Sequence, residues 1–144
     1  VSWSRGLGDV YKRQVHLGTP SDELHRTAGA VEEGMAAVMD SLKPGAVAGD
    51  VHAAWQRVLD RYGLEKPSRI GYSIGVGYAP DWGERTLSFR PREATPVPDN
   101  AVVHVILGMW MDDWGMELSE TIHVRGDGCE RMCDFPQHVH VVET

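Results

Sequence analysis

The sequence predicts an α+β domain in which a curved antiparallel sheet is covered on one side by two helices. Over the first half of the chain, apolar residues recur at the three- and four-residue spacing of amphipathic helices. From about residue 69 the pattern changes to the two-residue alternation of strands. Helices followed by a run of strands favour an α+β fold over an alternating, parallel one.

Two helices are predicted before residue 64. The segment Thr19-Pro20-Ser21-Asp22-Glu23 is typical of a helix start, because a capping residue precedes acids in the first turn. This helix covers about 21–42 and ends at Lys43-Pro44-Gly45. Asp50 is a cap candidate for the second helix, which ends at Gly63.

The second half of the chain contains strand patterns separated by turn residues. The run 101–107 is continuously apolar, as in a buried strand, whereas 117–124 alternates. Gly126-Asp127-Gly128 is the turn of a predicted antiparallel hairpin. The expected strands are 70–76, 86–89, 101–107, 117–124 and 129–132.

Composition limits the class of protein. With 144 residues, 42% hydrophobic and 24% charged, the chain resembles one soluble globular domain. A formal net charge of -7 argues against a nucleic-acid surface, and no apolar run approaches the roughly 20 residues of a membrane span. The two cysteines are too few for a disulfide scaffold and predict reduced thiols in a cytoplasmic protein.

Residues 1–14 are expected to be foreign to the domain. This segment, VSWSRGLGDVYKRQ, lacks periodicity and resembles translated adapter sequence at the end of a metagenomic gene fragment. A genuine basic arm is the alternative. The domain is therefore predicted to occupy residues 15–144.

Residues 71–84 and 108–120 are dense in tryptophan and carboxylate. Bending glycines, aromatic faces and acids close together favour a pocket for a small cationic or zwitterionic ligand. Neither segment has the His-x-His, Cys-x-x-Cys or His-Glu-x-x-His spacing of a metal site.

Five short motifs follow one another in a characteristic order. They are KPG-x-x-x-x-D-V at 43–51, GYSIG at 71–75, YxPDWGE at 78–84, GMWMDDWG at 108–115, and SETIHV with DG at 119–128. Together they resemble the family of creatinase, prolidase and methionine aminopeptidase, the M24 peptidases with the pita-bread fold. The resemblance spans 15–144 and implies the C-terminal part of the family's catalytic domain. Within the family, the sequence is most similar to ectoine hydrolases and creatinase-like members.

The resemblance also indicates which metal ligands are missing. Metal-dependent members use two Asp, one His and two Glu. The His position is Tyr72 here, and the Glu positions are Ile106 and Ser119. The two Asp would precede Val15. A phenol, an isoleucine and a serine cannot replace these ligands, so the resemblance implies neither a metal nor another cofactor.

Substrate-binding roles are implied for the first motif segment and its surroundings. Arg90 falls where creatinase-like enzymes bind the substrate carboxylate, although it could equally be a surface arginine at a strand end. Glu84 matches a creatinase glutamate, and Asp81 and Trp82 belong to the same motif.

The second motif segment is expected to bind the cationic part of the substrate. Asp112 and Asp113 lie at or beside the position of a creatinase glutamate that contacts the guanidinium group. Asp113 is also a catalytic candidate. Trp110 or Trp114 would stack on the delocalised cation. A simple turn joining two strands is the alternative.

Acid–base roles are expected for residues of the predicted strands. Tyr72 and His104 are candidates for polarisation or proton transfer, while a lone core histidine is the alternative for His104. Glu117 and Glu120 could share a face. At least one is expected to point into the cavity, Glu120 as a catalytic and Glu117 as a substrate-binding residue, and the other is expected to be solvated.

The leading hypothesis is a fragment of a metal-independent C–N hydrolase for a small zwitterionic amidine such as ectoine. A metal-dependent Xaa-Pro dipeptidase and a non-catalytic peptide-binding module are the alternatives. The resemblance further implies a homodimer in the full-length protein, and the fragment alone is expected to be inactive.

Overall fold

The computed structural model of the chain describes residues 13–77 and 83–144. Two helices precede the strands of an antiparallel sheet, which confirms the predicted α+β class. The helices are α1 (Asp22–Ser41) and α2 (Ala48–Tyr62). The strands are β1 (Val15–Leu17), β2 (Gly71–Ile74), β3 (Gly83–Phe89), β4 (Val102–Trp110), β5 (Gly115–Arg125), β6 (Gly128–Arg131) and β7 (His140–Val142).

The main sheet has five strands in the order β3-β2-β4-β5-β6, and every neighbouring pair is antiparallel. Alternate residues of β4 and β5 form a hydrophobic core with the two helices. Because strand side chains alternate between faces, the remaining residues of β4 point away from the helices. The core side of these strands contains Val103, Val105, Leu107, Met109, Leu118, Ile122 and Val124.

Helix α1 begins as its sequence predicts. Ser21 is the N-cap, and its Oγ accepts a hydrogen bond from the backbone N–H of Leu24 at 3.1 Å. Asp22 and Glu23 add negative charge to the first turn, where the helix dipole favours it. A local sequence pattern was sufficient here because the cap lies within the helix's own segment.

Helix α2 corrects one prediction, because Asp50 lies inside the first turn and is not the cap. The helix begins at Ala48. The N–H groups of Ala48 and Gly49 donate to the backbone carbonyls of Thr95 and Glu93, at 3.0 and 2.8 Å. Backbone carbonyls of a distant loop therefore accept the hydrogen bonds of the first N–H groups of α2, which a capping side chain would otherwise accept.

Gly34 allows the two helices to approach each other. A Cβ added at Gly34 would lie 1.9 Å from Cζ3 of Trp55, the tryptophan of α2. Trp55 is fully buried at this contact. The indole thus occupies the space that any side chain at position 34 would need.

Two short strands were not predicted as a pair. β1 pairs in parallel with β7, with Val15 opposite His140. Each strand has three residues, too few for a recognisable alternation. Val15 and Leu17 of β1 are largely exposed.

Both cysteines are free thiols. The Cys129 thiol donates to the carbonyl of Met39 at 3.4 Å, and burial raises its pKa. Within the described parts of the chain, neither helix combines the length and apolar character needed to cross a membrane.

Replacing Gly34 with alanine is expected to destabilise the domain by about 2 kcal/mol, because the new methyl group overlaps Trp55. The matched control is Gly29→Ala in the same helix, whose Cβ would lie 3.8 Å from the Tyr62 hydroxyl. The control should gain up to about 1 kcal/mol from helix propensity. Urea unfolding followed by tryptophan fluorescence measures both, and equal stability of the two variants would contradict the packing argument.

Candidate functional site

Tyr72 and His104 form a pair on the sheet face opposite the helices. The register of β2 and β4 places the two residues directly across from each other. The Tyr72 hydroxyl lies 3.3 Å from Nδ1 of His104, and the rings meet edge to face at 5.5 Å. His104 is only 3% exposed. A phenol and an imidazole at this distance can share and transfer a proton.

The same face continues along β4 and β5. Ile106 lies opposite Ser119, and Gly108 lies opposite Glu117. Since residues two apart in a strand share a face, these side chains line up beside the Tyr72–His104 pair. Ser119 and Glu117 are buried.

A cavity of about 380 Å³ lies beside Tyr72. Three arginines line it, together with hydroxyl side chains of β3 and the loop that follows. These residues are Arg69, Arg85, Arg90, Thr86, Ser88 and Thr95, with Glu93 at the edge. Among the described residues that line it, three guanidinium groups against one carboxylate give the cavity positive character in a chain of net charge -7.

Arg90 lines this cavity but is already paired. Its Nε and Nη2 lie 3.0 and 2.9 Å from Oε2 of Glu93. Hydrogen bonds from Thr95, and then from Arg90, lower the pKa of the Glu93 carboxyl. The predicted carboxylate-binding arginine therefore has a carboxylate partner within its own loop.

Glu84 has a structural contact in the same region. Its Oε1 accepts a hydrogen bond from the backbone N–H of Gly77 at 2.6 Å. This contact connects the start of β3 to the loop after β2. The neighbouring candidates Asp81 and Trp82 lie outside the described residues.

The predicted cation-binding residues line a different cavity. Asp112, Asp113, Trp110 and Trp114 form part of a groove of about 480 Å³ at the β4–β5 turn, together with Glu23 and Glu65. Trp110 lies six positions after His104 in β4, which is roughly 20 Å along a strand. The expectation that Arg90 and the Asp pair face one small ligand is therefore not met by the fold.

Glu117 and Glu120 do not share a face, and neither is solvated, so that expectation was wrong. They are three residues apart in β5, so one points to each side of the sheet. Glu117 lies on the side of Tyr72, 6% exposed, and Glu120 on the helix side, fully buried. Of the two, Glu117 shares the sheet face of the Tyr72–His104 pair, but it lies opposite Gly108, about 13 Å along β4 from His104.

Glu120 has a concentrated set of donors. Its Oε1 accepts hydrogen bonds from the side chains of Arg13 at 2.6 Å, Gln137 at 2.7 Å and Arg131 at 3.2 Å. Arg13 also donates to the carbonyl of Pro136 at 2.7 Å. The carboxylate thus joins three separate segments of the chain, which is a structural role on the face away from the candidate catalytic pair.

Two further buried titratable groups lie near this region. Burial lowers the pKa of Lys66, while the charge of Glu117 raises it. The ammonium donates to the Ser68 hydroxyl at 2.8 Å. Burial, and then the charge of Lys66, lowers the pKa of His52 in α2.

No sequence pattern predicted Arg69, Arg85 or Lys66 as residues of this region. Arg69 stacks on the ring of Tyr72, with its guanidinium carbon 4.4 Å from the ring centroid. The available signal was a basic residue three positions before a candidate tyrosine, next to a strand start. Such a signal is common in surface loops, so it carried little weight by itself.

Comparison with known proteins places these features in a family. Residues 3–126 match the family model of metallopeptidase family M24. The chain belongs to this family. Ectoine hydrolase of Halomonas elongata is 39% identical over 143 residues, which cover 94% of this chain and 36% of the relative. An uncharacterised hydrolase/peptidase of Sinorhizobium fredii is 37% identical over 138 residues, 95% of this chain and 34% of the relative.

Solved structures of M24-type enzymes share the fold. A dipeptidase PepE from Mycobacterium ulcerans superimposes with a TM-score of 0.84 at 23% identity, covering 93% of this chain and 36% of that one. An X-Pro aminopeptidase from Thermotoga maritima gives 0.81 at 23% identity, with 92% and 37% covered. These matches confirm the predicted pita-bread fold. The chain spans about a third of the length of the curated relatives it matches, and the predicted domain start at residue 15 stays a prediction.

The metal centre implied by the name of the M24 family does not fit the side chains on this face. Tyr72, Ile106 and Ser119 offer a phenol, an alkyl group and a hydroxyl, whereas a hard dication needs several anionic oxygens. Among the residues that the structure describes, no three His, Cys, Asp or Glu side chains gather where they could hold a metal ion.

Replacing Glu120 with alanine is expected to cost about 3 kcal/mol of stability, because it leaves the buried guanidinium of Arg13 without its carboxylate. Glu130→Ala is the control. Its carboxylate pairs with Arg125 at the surface, so the cost should stay below about 1 kcal/mol. Equal losses in urea unfolding would show that the Glu120 cluster adds nothing beyond a surface pair.

Stability is expected to fall as the pH drops below about 6.5, the unperturbed pKa of His52. The folded state has the lower pKa, so the unfolded chain takes up a proton first and is favoured by acid. His52→Gln should make this decline shallower between pH 7 and pH 5. The exposed His25, replaced in the same way, is the control. A pH profile that His52→Gln leaves unchanged would refute this.

Proposed function

We propose that the chain forms part of a C–N hydrolase that acts, without a metal, on a small zwitterionic amidine such as ectoine. The observation that carries the proposal is the Tyr72–His104 pair beside an arginine-lined cavity, on a face where Ile106 and Ser119 supply no anionic ligand. The 39% identity with ectoine hydrolase supports the substrate class.

Charge complementarity supports the zwitterionic substrate. The arginine-lined cavity suits a carboxylate, because a guanidinium forms two parallel hydrogen bonds with it. Glu117 is buried on the same sheet face as Tyr72, but it lies opposite Gly108, about 13 Å along β4 from His104, so the acidic partner of the amidinium is left to residues outside this chain. The acidic groove around Asp112 and Asp113 is too distant to contact the same small ligand.

In the proposed reaction, the Tyr72–His104 pair transfers a proton to the leaving nitrogen. Water adds to the amidine carbon and loses a proton, which forms a tetrahedral intermediate. The ring C–N bond then breaks, and the leaving nitrogen takes a proton, which Tyr72 relays from His104. The product is an N-acetylated diamino acid. Because the chain spans about a third of its relatives, residues outside it would complete the pocket and supply the principal base.

The test uses a full-length protein, as long as the curated relatives, that contains this chain. Ectoine hydrolysis should persist after treatment with EDTA, and added manganese or cobalt should not increase the rate. Tyr72→Phe should lower kcat by about 10²- to 10⁴-fold by removing the proton relay. Tyr62→Phe, at the end of α2, is the matched control and should retain the rate.

Other outcomes identify the alternatives. Loss of hydrolysis with EDTA would contradict the metal-free mechanism. Cleavage of Xaa-Pro dipeptides restored by manganese would support a metal-dependent peptidase. Binding of ectoine or a peptide without turnover would indicate a non-catalytic binding module.

A further inference from the structure

The three arginines of the cavity differ in how their donors are used. Arg90 is paired with Glu93 through two of its nitrogens. Arg85 also lines the cavity and has an interaction partner of its own. Arg69 contacts the Tyr72 ring, and within the described parts of the chain its N–H groups have no hydrogen-bond or ion-pair partner. Of the three arginines, Arg69 is therefore the one whose donors remain available to a ligand.

Stacking on the Tyr72 ring orients the guanidinium of Arg69 to bind a planar carboxylate. The guanidinium carbon lies 4.4 Å from the Tyr72 centroid, within the distance of a cation–π contact. A guanidinium held against a ring keeps its edge N–H groups directed outward, so less side-chain freedom is lost when it binds. Ser88 lies across from Tyr72 in the sheet and adds a hydroxyl to the same cavity.

We propose that Arg69, supported by the ring of Tyr72, binds the carboxylate of the ligand in this cavity. Arg90 instead holds the loop through Glu93. The positive cavity and the free fork of Arg69 match a carboxylate in charge and geometry. The inference rests on the proposed function for the identity of the whole ligand, but a simple carboxylate tests the contact by itself.

The experiment titrates sodium acetate, and separately ectoine, into this chain while the arginine Nε–H signals are recorded by NMR. Acetate should shift the Arg69 signal saturably. Arg69→Gln should weaken acetate binding by roughly 10-fold or more, as expected for a charge-assisted hydrogen bond. Arg69→Lys keeps the charge but loses the fork and should weaken binding less. Arg90→Gln should change the affinity less than about 3-fold, because its donors already serve Glu93.

Two controls separate the contact from general charge effects. Arg57→Gln removes the same charge from the exposed side of α2, outside the cavity, and should leave acetate binding unchanged. Tyr72→Phe keeps the ring and should preserve binding, whereas Tyr72→Leu removes the platform and should weaken it.

The inference is overturned if acetate shifts no Arg69 signal, or if Arg90→Gln or Arg57→Gln weakens binding as much as Arg69→Gln. Equal binding by the Phe and Leu variants of Tyr72 would refute the platform role. If acetate binds at Arg69 and ectoine does not, the proposed substrate fails while the Arg69 contact stands.

Discussion

The pairing register of β4 with β2 and β5 is the constraint on which the candidate site depends. Tyr72 lies opposite His104, and Ile106 opposite Ser119, only because the three strands align in this register. A shift by one residue would turn every one of these side chains toward the helices. The apolar residues Val103, Val105 and Leu107 prevent such a shift, because their burial would be lost.

Although the chain has a net charge of -7, basic and acidic side chains are concentrated in two separate regions of the sheet. Arginines surround the cavity near Tyr72, whereas four carboxylates surround the groove at the β4–β5 turn. Because charges attract over short distances but are screened by water and salt beyond about 10 Å, the two regions act separately. A small zwitterion held at the arginine-lined cavity therefore does not reach Asp112 or Asp113.

Buried charges in this chain have two different surroundings. Glu120 accepts three hydrogen bonds on one oxygen and joins the segment at Arg13 to the C-terminal segment. Such a carboxylate is strongly held and poorly suited to move a proton. The Tyr72 hydroxyl lies 3.3 Å from Nδ1 of His104, beside a cavity that a ligand can enter. The difference in surroundings, not the type of residue, separates the structural acid from the candidate catalytic pair.

Local patterns in the sequence were enough to determine the two helices, the chain order of the five strands of the main sheet and the family resemblance. Period and capping are read within a few neighbouring residues, as the Ser21 cap of α1 shows. The cap of α2 was mispredicted because its partners come from a loop more than forty residues away. Only the tertiary structure decided which of Glu117 and Glu120 faces the helices, that Arg90 pairs with Glu93, and that Arg69 lies on Tyr72. The first depends on which face of the sheet packs against the helices, and the other two depend on loop conformations that no periodic pattern specifies.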